Sequence, residues 1–229
     1  MKIGILQTGR PPPALQDKHG NYDDAFMRLL GGRGFEFSSW AVLDGDLPQS
    51  INEADGWLVT GSRFGVYEDH EWIAPLETFL RAAYHSHVPI AGICFGHQIL
   101  AQALGGKVEK FSGGWSVGRV EYTMDGLDEP LPLYAWHQDQ VVELPPDAQV
   151  TGSTAFCRYA ALSYGDRAYT VQPHPEFSAD FMQELITARS NVLPQDIFTA
   201  ARTSMTQGQT NSAVIADRIA EFFYRKRAT

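Results

Sequence analysis

The first half of the chain sets four short apolar runs between amphipathic segments, and that alternation restricts the possible folds more than any other feature. The runs are Lys2-Ile3-Gly4-Ile5-Leu6, residues 35–41, Gly56-Trp57-Leu58-Val59-Thr60 and Val88-Pro89-Ile90-Ala91-Gly92-Ile93. Each is short and followed by turn residues, as strands buried on both faces of a parallel sheet are. Between them a helix is expected over about 21–30, ending at Gly31-Gly32. A second follows from Ile73, Leu76, Leu80 and Ala83 at helical spacing and ends near His85. A third carries Ile99, Leu100, Ala103 and Leu104 and stops at Gly105-Gly106. Strands alternating with helices imply an α/β fold with an open, mostly parallel sheet and flanking helices. Residues 7–20 read as a polar loop. Residues 118–124, 131–136, 149–154 and 160–164 read as short strands joined by turns, so a small antiparallel extension is expected there. Helical periodicity returns after His174 and closes with Val214, Ile215, Ile219, Phe222 and Phe223 on one face. With 229 residues and no repeat or linker, a single domain over 1–229 is expected.

Charge removes one class of function. The chain has 27 acidic and 18 basic side chains, a formal net charge of -9, which repels phosphate backbones, so no nucleic-acid partner is expected. The cluster Arg225, Lys226, Arg227 reads as the solvated last turn of a terminal helix. The opening Met1 to Leu6 breaks at Thr8-Gly9-Arg10-Pro11-Pro12-Pro13, too early for a signal sequence. No apolar run approaches the roughly 18 residues of a membrane span. A cytoplasmic location without a membrane partner is therefore expected, with Cys94 and Cys157 as free thiols.

The sharpest chemical signal is Gly92-Ile93-Cys94-Phe95-Gly96, a nucleophile between two glycines where an apolar strand turns into a helix. Glycines on both sides permit a turn tight enough to push the sulfur into a crevice, and the helix N-terminus favours thiolate over thiol. An isolated cysteine is more often a small buried hydrophobe; the flanking glycines and the position reverse that preference for Cys94. Cys157, in Phe156-Cys157-Arg158, has no such setting and is assigned to packing.

A thiolate nucleophile needs a base and a group to hold the base. Among seven histidines, His174 fits best: it follows Tyr169-Thr170-Val171-Gln172 at a strand end, and Pro173 and Pro175 stiffen the segment into an extended path. Crevices of open α/β sheets lie at the carboxyl ends of strands, where Cys94 and His174 both fall. Glu176 is placed to fix the imidazole tautomer. Taken alone, His174-Pro175-Glu176 is a polar turn into a helix near Ser178; paired with Cys94 it is a catalytic candidate. His97, His85 and His87 are assigned structural or solvated roles, and His137, in Trp136-His137-Gln138-Asp139, is a candidate for lining the site. No HExxH or paired-cysteine spacing points to a metal, and Gly31-Gly32-Arg33-Gly34 follows a helix rather than a strand, so it reads as a cap and turn. No cofactor is expected.

With these residues in view, the segment Pro89-Ile90-Ala91-Gly92-Ile93-Cys94-Phe95-Gly96-His97-Gln98-Ile99-Leu100-Ala101 resembles the nucleophile segment of class I glutamine amidotransferases, and His174-Pro175-Glu176 resembles their second catalytic motif. The likeness runs from about residue 56 to 177, and the stand-alone length is similar to the GMP-synthase-like and γ-glutamyl peptidase branch. The resemblance implies a flavodoxin-like sheet. It also implies an oxyanion hole from Gly61, Ser62 and Phe95, where Gly61-Ser62-Arg63 replaces the Gly-Gly-Pro or Asn-Gly-Pro of many members, and a γ-glutamyl contact from Gln98. The implied reaction is attack of Cys94 on a γ-glutamyl amide and hydrolysis of the thioester. The small-molecule substrate that the resemblance implies is glutamine or a γ-glutamyl peptide, and a separate synthetase subunit receiving ammonia is the implied alternative. A third reading, from another class, is a catalytically silent binding or regulatory protein; the intact Cys94, His174 and Glu176 set argues against it.

Overall fold

A computed structural model describes residues 1–225. In chain order the elements are β1 (Lys2–Leu6), α1 (Pro13–His19), α2 (Tyr22–Leu29), β2 (Glu36–Trp40), β3 (Gly56–Val59), α3 (Ile73–His85), β4 (Ile90–Ile93), α4 (Phe95–Ala103), β5 (Lys107–Lys110) and β6 (Ser116–Met124). They continue with β7 (Leu131–His137), β8 (Asp139–Glu143), β9 (Gln149–Ser153), β10 (Ala161–Tyr164), β11 (Ala168–Val171), α5 (Ala179–Ala188), α6 (Gln195–Ser204) and α7 (Ser212–Tyr224).

Nine strands form one sheet in the order β2-β1-β3-β4-β11-β10-β9-β6-β7. From β2 to β11 all neighbours are parallel, the order of a flavodoxin-like sheet. From β11 to β7 the pairing is antiparallel, which is the extension expected from the middle of the chain. The central strands β3 and β4 are buried at every residue, whereas the edge strand β2 is partly exposed along its length. Strand periodicity divides the core between the two faces. Leu6, Trp57, Val59 and Ile90 pack with Leu76, Leu80, Phe95 and Leu100 of α3 and α4. Ile3, Ile5, Leu58, Ala91 and Ile93 pack with Phe26 of α2 and Ile215, Ile219, Phe222 and Phe223 of α7. A third cluster joins Val117 and Tyr134 of the β6–β7 hairpin to Phe181 and Leu185 of α5 and Ala201 of α6.

Two expectations are corrected and one element is added. Residues 7–20 contain α1, which starts on Pro13 in the first turn, where a preset φ helps, and buries only Leu15. One apolar anchor leaves no periodicity to read. A separate two-stranded antiparallel sheet, β5 with β8, was not expected either; in β5 only Val108 is buried among three exposed charged residues. At the other end, α7 stops at Tyr224, so Arg225 lies just beyond the helix and Lys226 and Arg227 lie outside the described residues. Among the described residues no helix is long and apolar enough to cross a membrane.

Candidate active site

The turn from β4 into α4 is built on Cys94, which caps α4 with φ 53° and ψ -101°. That conformation is strained for a residue with a side chain, by about 1–3 kcal/mol, and persists only where its surroundings enforce it. Gly92 and Gly96 supply the enforcement. A Cβ on Gly92 would lie 2.5 Å from the Gly96 carbonyl oxygen, and one on Gly96 would lie 2.3 Å from the Val59 carbonyl oxygen, so neither position accepts a side chain. The Phe95 N–H, at the first position of α4, is one of the amides an α-helix leaves without an internal acceptor. The Cys94 Sγ lies 4.0 Å from the Trp136 carbonyl oxygen and faces a cleft of about 370 Å³.

His174 reaches the same cleft from just beyond the end of β11, the parallel neighbour of β4. An isolated antiparallel bridge to Tyr134, with His174 N–H donating to the Tyr134 carbonyl at 2.8 Å, holds its backbone extended. Its ring stacks on Phe177 with centroids 4.1 Å apart and planes 5° from parallel. The Nδ1 atom meets Glu176 Oε1 at 2.7 Å, and both side chains are almost wholly buried. Burial disfavours the charged imidazole, but the Glu176 carboxylate and the Cys94 sulfur together outweigh it, and the histidine holds its proton more tightly than a free one. Gly61 stands against both residues: a Cβ there would lie 3.0 Å from His174 Cε1 and 3.8 Å from Cys94 Cβ.

The other candidates fall as follows. Gly61, Ser62, Gln98 and His137 line the cleft. The Gln98 side-chain nitrogen donates to the Asp139 carbonyl at 2.8 Å and to Gln172 Oε1 at 3.0 Å, so it offers the cleft its carbonyl oxygen rather than its amide protons. His137 Nδ1 lies 3.2 Å from the Asp139 carbonyl oxygen. Burial lowers its pKa to about 4, making it a neutral group whose Nε2 can accept a hydrogen bond. His97 is completely buried with Nδ1 2.8 Å from Thr170 Oγ1, and burial lowers it to about 3; it is a packing residue, as expected. Cys157 is 2 % exposed, and burial pushes its thiol up to about 12.

Sequence reasoning passed over several residues at this cleft. Trp115, Trp136 and Tyr67 form aromatic walls, and Tyr67 OH donates to Asp139 Oδ2 at 3.1 Å. Burial raises the Asp139 carboxyl, partly offset by that bond. Tyr22 also lines the cleft, and burial with the nearby Glu176 and Cys94 keeps it a neutral phenol. None of these sits in a local pattern that announces a site; they converge only in the fold, Trp115 from just before β6, Trp136 from β7, Tyr67 from the loop after β3, Tyr22 from the start of α2 and Asp139 from the start of β8. Among the described residues no group of three or more His, Cys, Asp or Glu side chains is placed to hold a metal ion. The arrangement as a whole presents a thiol, an imidazole oriented by a carboxylate, and backbone amides at a helix start around one crevice, which is the equipment of acyl transfer.

Comparison with known proteins agrees with that chemistry. The family model described as glutamine amidotransferase class-I matches residues 17–190. Gamma-glutamyl peptidase 3 of Arabidopsis thaliana is 28 % identical over 208 residues, covering 83 % of this chain and 84 % of that protein. The glutamine-hydrolyzing GMP synthase of Haloarcula marismortui has a subunit that is 33 % identical over 171 residues, covering 70 % of this chain and 82 % of that one. Among solved structures, a glutamine amido transferase from Methylobacillus flagellatus superposes with a TM-score of 0.76 at 20 % identity, covering 99 % of this chain and 97 % of that one.

Proposed function

This chain belongs to the class I glutamine amidotransferase family, and from that membership we propose that it is a cysteine-dependent hydrolase of γ-glutamyl amides. The observation that carries the reading is the pairing of β4 with β11, which brings Cys94 and His174 to one crevice with Glu176 behind the imidazole. In the proposed cycle Cys94 gives its proton to His174 and attacks the γ-carbonyl carbon. The C–N bond of the tetrahedral intermediate breaks as His174 returns the proton to the leaving amine. Water, deprotonated by the same histidine, then attacks the thioester and releases glutamate and the thiol. Gln98 and His137 are the proposed substrate contacts, and the amides of Gly61, Ser62 and Phe95 the proposed oxyanion donors.

Free action on a γ-glutamyl peptide is favoured by the cleft, whose walls of Trp115, Trp136 and Tyr67 extend the space around Cys94 beyond a bare nucleophile pocket. Likeness to one component of a GMP synthase supports the second reading, a glutaminase that delivers ammonia to a separate synthetase. Steady-state release of glutamate from glutamine and from several γ-glutamyl peptides by the purified chain, with Cys94→Ala as control, separates the two. Fast peptide cleavage establishes the free hydrolase. Negligible turnover of every substrate, with Cys94 still labelled by a glutamine-like electrophile, supports the synthetase-dependent reading. Turnover that survives in Cys94→Ala overturns both.

A further inference from the structure

Two buried threonine hydroxyls hold the loop after β3 from behind. Thr8 follows β1 and Thr60 follows β3, and neither has any exposed surface. Each proton finds its own acceptor. The Thr8 N–H donates to Thr60 Oγ1 at 3.0 Å, the Thr60 hydroxyl donates to the Gly61 carbonyl at 3.1 Å, and the Thr8 hydroxyl donates to the Thr60 carbonyl at 2.9 Å. Thr8 Oγ1 also lies 3.2 Å from the Gly61 carbonyl oxygen. The Ser62 hydroxyl adds a tie to the Thr8 carbonyl at 2.7 Å, at the position where Gly61-Ser62-Arg63 departs from the family's proline-containing loop. Gly9 lies flat on the same loop: a Cβ there would be 2.8 Å from both the Gly61 oxygen and Ser62 Cα.

Two consecutive carbonyls, of Thr60 and Gly61, thus turn toward Thr8. A trans peptide unit is planar, with its N–H opposite its C=O, and the described residues contain no cis bond. The N–H groups of Gly61 and Ser62 are therefore turned away from Thr8. Cys94 and His174 stand close to Gly61, on the face from which a side chain would project: a Cβ there would lie 3.8 Å from Cys94 Cβ and 3.0 Å from His174 Cε1.

We infer that Thr8 is a positioning residue that, with Thr60, keeps the oxyanion site preformed. The two hydroxyls lock the peptide units of the loop so that N–H groups, not carbonyl oxygens, face the carbon that Cys94 attacks. Thr8 touches no substrate; it acts through the backbone it holds. The inference rests on the acyl-transfer reading of Cys94.

The test compares two reactions of Cys94 in the purified full chain. Acylation by p-nitrophenyl acetate, read as a burst of p-nitrophenolate, passes through an oxyanion and needs no γ-glutamyl group. Alkylation by iodoacetamide is a direct displacement without an oxyanion. Thr8→Val is expected to slow acylation by about tenfold or more, toward the 10²–10³ that loss of one oxyanion donor costs, while leaving alkylation near its original rate. Thr8→Ser, which keeps the hydroxyl, is expected to restore acylation. Thr60→Val, which frees the Gly61 carbonyl from one donor, decides the question where Thr8→Val does not fold. Unchanged acylation in the valine variants, or an equal fall in both reactions, overturns the inference. So does the absence of any burst in the unaltered protein. A burst that depends on Thr8, in a protein that releases no glutamate from any γ-glutamyl compound, overturns the free-hydrolase reading and leaves the inference standing.

Discussion

The Cys94 amide donates to the Val171 carbonyl at 2.9 Å, so the thiol-bearing turn begins where the β4–β11 ladder ends. Ile93 pairs with Val171, and beyond that pair the two chains part: one bends into α4 at Cys94, the other runs through Gln172 and Pro173 to His174. On the other side of β4, Val59 pairs with Gly92 and leads to Gly61. Three adjacent parallel strands thereby deliver the candidate nucleophile, base and oxyanion loop to one end of the sheet, as open α/β sheets do at their carboxyl edges.

That geometry depends on the absence of a side chain at Gly96. Gly96→Ala sets a Cβ against the Val59 carbonyl of a fully buried central strand, and neither partner is a flexible side-chain tip. The expected cost is about 1–3 kcal/mol or more of stability, read as a lower urea midpoint, together with loss of amidase activity because β3 and α4 move apart. An unchanged midpoint in Gly96→Ala would show that the contact relaxes at no cost.

Glu176 is expected to act through His174. Its Oε1 lies 2.7 Å from Nδ1, and its charge is the largest contribution that offsets burial of the imidazole. Glu176→Gln should lower the proton affinity of His174, seen by NMR as a downward move of its titration. It should also reduce kcat by roughly 10²- to 10⁴-fold, as loss of the orienting acid does in other triads, with little change in KM. A large rise in KM at constant kcat would place Glu176 in substrate binding instead.

Three histidines give the stability a pH dependence with two limbs. Burial lowers His97 to about 3 and His137 to about 4, against an ordinary value of 6.5. As pH falls below 6.5 the unfolded chain takes up protons that the folded chain refuses, so stability falls at up to about 1.4 kcal/mol per pH unit for each histidine. His174 works in the opposite sense, because its folded value is raised. Its contribution is complete below the unfolded value and is lost as pH climbs through the folded one. Urea midpoints should therefore be highest near neutrality, and His97→Gln should flatten the acid limb by one histidine's share. An acid limb of unaltered slope in that variant would mean that His97 takes no part in it.

The parallel half of the sheet was legible because β1, β3 and β4 are buried on both faces and need continuous apolar residues, which few other structures do. Cys94 and His174 were legible because strand ends, glycines and prolines are written locally. Thr8 and Thr60 were not, since a clamp between the turn after β1 and the end of β3 leaves no mark in either segment. The same holds for β5, whose only buried residue, Val108, sits among charges, and for Trp115 and Tyr67, which reach the cleft through long-range packing. Gln98 was found by its motif, but the acceptors of its amide protons, Asp139 and Gln172, lie far away in sequence.

The two cysteines should differ sharply in reactivity, although both are buried by area. Cys157 is enclosed beside Thr154, which exchanges hydrogen bonds with its backbone, and burial pushes its thiol up to about 12, so almost no thiolate forms at neutral pH. Cys94 sits at the N-terminus of α4, beside His174 and open to the cleft, where a reagent can reach it. Iodoacetamide at pH 7 is expected to add one equivalent, located at Cys94 by peptide mass mapping. Cys157→Ala should label at the original rate, and Cys94→Ala should not label at all. Because His174 stands beside the sulfur as its candidate base, His174→Asn should slow labelling at neutral pH. Labelling that keeps its rate in His174→Asn would mean that the histidine does not activate the sulfur, and it would then be left with proton transfer to the leaving amine as its only part in catalysis.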